Sequence, residues 1–139
     1  MTRLTSLLCF TGLLLFLLGL ATGFAVPALK APRIGLSAHL AATQMGVALI
    51  AFGSLWERLT FWNGWSALLA HVLWISFYAI WIGIVLGAYW GTGKALPIAG
   101  AGHVAAKWRE QAALMTLILG SVASFGAITM MLIQWKWKG

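Results

Sequence analysis

Apolar residues fill four long stretches of this chain, and polar residues gather between them. The stretches cover about 4–26, 36–56, 65–90 and 111–135. Each is long enough to cross a bilayer, at about 20 residues per helical crossing. Arg3 followed by Leu4 to Leu20 has the outline of a secretory signal, but the run is long enough to be a retained span. The pattern predicts an all-α integral membrane protein. Four transmembrane helices form an antiparallel bundle, one domain over 1–139, with both termini on one side.

The connections differ in character. Pro27, Lys30, Pro32 and Arg33 mark a short basic loop before the second run. Glu57 and Arg58 end that run, and Phe61-Trp62-Asn63-Gly64-Trp65 follows as a turn with interfacial aromatics. Residues 91–110 carry four glycines, Pro97, His103, Lys94, Lys107 and Arg109. A connection that long in so small a protein is often functional. Gly19 and Gly23, and Gly83, Gly87 and Gly91, recur every four residues and mark close-packing helix faces.

Composition sharpens this picture. Of 139 residues, 62% are hydrophobic and only Glu57 and Glu110 are acidic, which no water-soluble domain of this size shows. The net charge of +7 comes from basic residues at the ends of the apolar runs. That placement suits lipid headgroups and topology control, and nucleic acid is set aside. Trp56, Trp62, Trp65, Trp135 and Trp137 fall on the terminus side, and Trp90 and Trp108 on the other, as an aromatic belt at each interface. The terminus side carries Arg3, Arg58, Lys136 and Lys138; the other carries Lys30, Arg33, Lys94, Lys107 and Arg109. That difference does not decide orientation; a bacterial inner membrane with cytoplasmic termini is the working expectation. Cys9 is alone and reads as a small apolar residue in a helix.

Candidate chemistry centres on His39, at about the first turn of the second helix. An ionisable side chain inside a membrane span is a functional candidate, and histidine is the natural ligand for a metal or haem iron. His71 enters from the opposite side, so the two should differ in depth by roughly 20 Å. His103 lies on the side of His39, which makes a His39–His103 pair possible. No carboxylate falls inside a span and the chain has no aspartate, so paired-acid, zinc-carboxylate and Ser-His-Asp chemistry drop out. A haem needs an axial ligand, an apolar slot and cations for its propionates. His39 supplies the first. Ala42 and Gly46 make the same helix face small enough for a flat ring. Arg33, Lys30, Lys94, Lys107 and Arg109 lie on the right side for carboxylates. On the third helix Trp74, Tyr78 and Trp81 share a face, which walls either an aromatic substrate or a helix contact.

Pro32-Arg-Ile-Gly-Leu-Ser-Ala-His-Leu40, Trp90-Gly-Thr-Gly93, Leu96-Pro-Ile-Ala-Gly100 and Gly102-His-Val-Ala-Ala-Lys-Trp108 resemble segments of the hydroxylaminobenzene mutases and styrene oxide isomerases. The resemblance implies a redox-neutral rearrangement of a small aromatic hydroxylamine or epoxide. It implies haem b on His39, with ferric iron as Lewis acid, Tyr78 orienting substrate, and a homotrimer. The family pattern has Asn where this chain has Met45 and Ile80, and both changes remove a polar group from the substrate region. His39 and Met45 point about 120° apart on one helix, so a site between protomers is expected. Two alternatives remain: a membrane b-type cytochrome or sensor, and a haem-free membrane assembly protein.

Overall fold

The computed structural model describes residues 2–62, 64–134 and 136. The expected contributions of Trp135, Trp137, Lys138 and Asn63 lie outside those residues. Four helices carry the fold: α1 (Arg3–Ala25), α2 (Pro32–Leu55), α3 (Trp65–Trp90) and α4 (Lys107–Ile133). All four are long and apolar enough to cross a membrane. Among the described residues there is no β-strand beyond a single bridge residue at Leu59.

Two helix starts differ from the sequence pattern. α2 begins at Pro32, four residues before the apolar run, because proline is preset for the first turn and has no N–H to lose there. His39 therefore sits in the second turn, about 10 Å along the axis. α4 begins at Lys107, so Lys107-Trp-Arg-Glu110 is a helical turn and the long loop shortens to 91–106. At the end of α3, Gly91 adopts φ 69°, the left-handed cap that glycine adopts without steric cost. Gly91 is thus a helix stop, while Gly83 continues the packing role expected of it against Leu117 of α4.

Small residues set how the helices meet. A methyl on Gly12 would lie 2.7 Å from the Gly46 carbonyl oxygen, and one on Gly19 would lie 2.9 Å from Ala42 Cβ. A methyl on Gly53 would lie 2.8 Å from Cys9 Sγ. Partner numbers on α2 fall as those on α1 rise, so the pair is antiparallel. On α3 and α4, Gly83 meets Leu117 and Ile80 meets Gly120, again antiparallel. Ala31 N–H donates to the Ala88 carbonyl at 3.0 Å, joining the start of α2 to the end of α3. At the opposite end the Thr2 N–H donates to Glu57, and the Trp62 N–H donates to Gln134 Oε1 at 3.0 Å. Both termini therefore share a side.

The core has two parts. Leu8, Leu15, Leu49 and Leu73 are fully buried in the larger one. Ala31, Ile34, Ala38, Ile84 and Ala88 form the smaller one under the basic loop. The outer surface stays apolar: Phe24, Leu119 and Phe125 are 89%, 68% and 76% exposed. That is the surface a bilayer would cover.

Candidate functional site

The site is built from α1 and α2. His39 projects from the edge of α2 toward α1, and its Nδ1 lies 2.8 Å from the Gly19 carbonyl oxygen. A carbonyl can only accept, so Nδ1 carries the proton, and in the neutral ring Nε2 keeps the lone pair. Gly23 lies one turn further along α1. A methyl there would stand 2.8 Å from His39 Nδ1 and 3.1 Å from Cε1. The imidazole thus lies directly on a bare strip of α1. The glycine pair expected for close helix packing is also the seat of the histidine.

Beside it an open groove of about 460 Å³ is lined by Leu20, Gly23, Phe24, Val26, Pro27, Leu36 and His39. Among the described residues His39 supplies its only ionisable side chain. Among the described residues no three metal-ligating side chains cluster. A metal held here by protein would have one ligand, so it would have to bring most of its coordination sphere with it, as a haem does. Donor and groove fit such a group. The ring slot expected on the Ala42–Gly46 face is not open within the chain. Ala42 is fully buried, and Gly46 touches the backbone of α1 at Gly12 and Phe16. The groove lies on the other side of His39.

The aromatic stripe of α3 forms a continuous ladder. Trp74 and Tyr78 meet edge to face at 5.8 Å, and Tyr78 and Trp81 at 6.5 Å. The Tyr78 hydroxyl donates to the Thr11 carbonyl at 2.8 Å, and Trp81 Nε1 donates to Thr22 Oγ1 at 3.2 Å. Thr22 is next to Gly23, so the ladder reaches the depth of His39 on another side of α1. No residue of the ladder lines the His39 groove. Trp74 Nε1 is buried without an acceptor.

A family model described as styrene oxide isomerase matches residues 4–135. This chain belongs to that family. It is 39% identical over 124 residues to hydroxylaminobenzene mutase HabA of Ectopseudomonas oleovorans, covering 88% of this chain and 92% of the relative. It is 37% identical over 108 residues to hydroxylaminobenzene mutase HabB of the same organism, covering 77% and 66%. No solved structure matches it. The family's named activities are isomerisations, and four apolar spans suit a membrane setting.

Family membership directs attention to the remaining site candidates, which the fold separates. Met45 packs against the larger core with Tyr78, Trp74 and Trp81, and not at the His39 groove. Ile80 faces α4, where its Cγ1 would be 2.8 Å from a methyl on Gly120. Arg33 is exposed on the first turn of α2. The Arg109 guanidinium lies 5.9 Å and 5.3 Å from the Trp90 and Trp108 rings, and its buried Nε has no hydrogen-bond partner among the described residues. Lys30 lies across Gly91. The possible His39–His103 pair is not formed, since His103 Nε2 is 3.1 Å from the Lys30 carbonyl oxygen and His39 is held by Gly19. His71 is exposed and bonded to the Ala67 carbonyl of its own helix.

Sequence reasoning missed Glu110. Its carboxylate accepts from the N–H groups of Gly93, Lys94, Ala95 and Ala105 at 2.8, 3.0, 3.0 and 3.4 Å. One buried acid thereby ties both ends of the 91–106 loop to α4. The signal was a lone acid at the start of an apolar run, directly after a glycine-rich loop.

Proposed function

We propose that this protein is a membrane isomerase that rearranges a small aromatic hydroxylamine or epoxide without net redox change, using haem b held by His39. One observation carries the reading: a buried-edge histidine whose Nδ1 is engaged by the Gly19 carbonyl, leaving Nε2 unengaged beside an apolar groove. Ferric haem held by His39 would supply Lewis-acid chemistry toward a substrate oxygen. The chain's own residues do the rest. Gly19 holds the proton on Nδ1 and so keeps Nε2 as the donor. Leu20, Phe24, Val26 and Leu36 give the groove an apolar wall. Tyr78 has committed its proton to Thr11, so its oxygen acts toward substrate as an acceptor, suited to an N–H or O–H. Trp74 Nε1 is a buried donor of the same ladder, without an acceptor among the described residues.

The groove is open and apolar, and the ladder lies on another side of α1. Both facts support a complete site between protomers, the His39 groove of one chain closed by a neighbour, as in a homotrimer. Placement in a bacterial inner membrane with cytoplasmic termini is part of the same reading. The test is an absorption spectrum of detergent-purified protein titrated with hemin, followed by assay on hydroxylaminobenzene and styrene oxide. A Soret band with an open coordination position and conversion of either compound supports the reading. A low-spin bis-histidine spectrum, or no binding, refutes it.

A further inference from the structure

Gln44 lies midway along α2, a helix long and apolar enough to cross a membrane. It is the thirteenth of the 24 residues of α2, so either end of the helix is roughly 18 Å away. Its side chain is exposed, and it makes no hydrogen bond among the described residues. It points away from the buried face of α2, where Ala38, Ala42, Gly46, Leu49 and Gly53 lie. A carboxamide is too short to reach headgroups from that depth, and acyl chains carry no donors or acceptors. Leu36, Leu40, Gln44, Val47, Ala51 and Leu55 are all exposed. Their spacing of four, four, three, four and four residues keeps them on one side of the helix, within an arc of about 100°.

We propose that this stripe is the seam between copies of the chain, with α2 facing α2 around a rotational axis and the Gln44 carboxamides bonded to one another across it. Each carboxamide has two N–H donors and a carbonyl acceptor, so identical copies satisfy each other under rotational symmetry. Polar side chains of this kind act as glue between helices in lipid. Leu36 belongs both to the stripe and to the His39 groove, so the seam runs beside the groove. The inference deepens the proposal of a site between protomers but does not depend on haem.

The test measures assembly in mild detergent over a dilution series, in the intact chain and in a His39→Ala chain without cofactor. Wild type and Gln44→Asn assemble; Gln44→Leu dissociates at a concentration at least tenfold higher. Equal assembly of Gln44→Leu and wild type, or a monomeric wild type, overturns the seam. A second measurement does not rely on a weakened variant. In a Cys9→Ala background, Gln44→Cys forms disulfide-linked dimers in oxidised native membranes. Val122→Cys, on the 66% exposed outer position of α4, does not. Cross-linking at 44 no greater than at 122 overturns α2-to-α2 pairing. Assembly retained in His39→Ala separates this result from failure of the haem proposal.

Discussion

Gly23→Ala tests how α1 governs the histidine. The added methyl would stand 2.8 Å from Nδ1, 3.1 Å from Cε1 and 3.3 Å from Cγ of His39. Ordinary contact needs about 3.5 Å, so the ring must retreat by roughly 0.7 Å. It starts from a 2.8 Å bond to Gly19. A retreat of that size takes the bond past about 3.2 Å, where it weakens sharply. Overpacking costs about 1–3 kcal/mol and the lost bond about 1 kcal/mol more. Disturbing such an outer partner of a metal ligand typically lowers affinity by about 10–100-fold. The assay is hemin titration followed at the Soret band. Gly53→Ala is the control: its methyl meets Cys9 Sγ at 2.8 Å on the same α1–α2 contact, about 20 Å from His39. It should lower stability and leave hemin affinity alone. Unchanged affinity in Gly23→Ala, or equal loss in both variants, refutes the reasoning.

Three further outcomes follow from the same contacts. His39→Ala should abolish stoichiometric hemin binding, and retained binding in a titration would reject the ligand assignment. Tyr78→Phe removes the bond to Thr11 and should cost about 1 kcal/mol in detergent unfolding, with turnover of hydroxylaminobenzene falling more than that of styrene oxide; an equal fall in both would remove Tyr78 as a selective acceptor. Glu110→Ala strands up to four N–H groups; at about 1–3 kcal/mol for each buried group left unpaired, the 91–106 loop should become open to limited proteolysis, while Glu110→Gln keeps partial protection.

Much of the fold was legible because membrane spans announce themselves as apolar length. α3 matches its expected limits of 65–90, while the charged first turns of α2 and α4 look like loop when hydropathy is the guide. His39 was legible as an ionisable group in a span. Its surroundings were not, because its key partner is a backbone carbonyl, and a carbonyl has no letter in a sequence. The Ala42–Gly46 face shows the same limit: small residues admit either a ligand or another helix, and here α1 takes the space. Trp74, Tyr78 and Trp81 do share a face as their spacing requires, but spacing on one helix cannot say that α1 stands between them and the histidine.

The carbonyl partner of His39 has a consequence for electron supply. Histidine ligands often share their second proton with a carboxylate, which gives the ring imidazolate character and makes it a strong donor. No acid lies near His39: Glu57 is beyond the far end of α2, and Glu110 is given over to the loop. Gly19 offers a neutral acceptor, which draws on the Nδ1 proton less than a carboxylate would. On the proposed haem-ligand reading, His39 would therefore be a modest donor, which suits Lewis-acid chemistry.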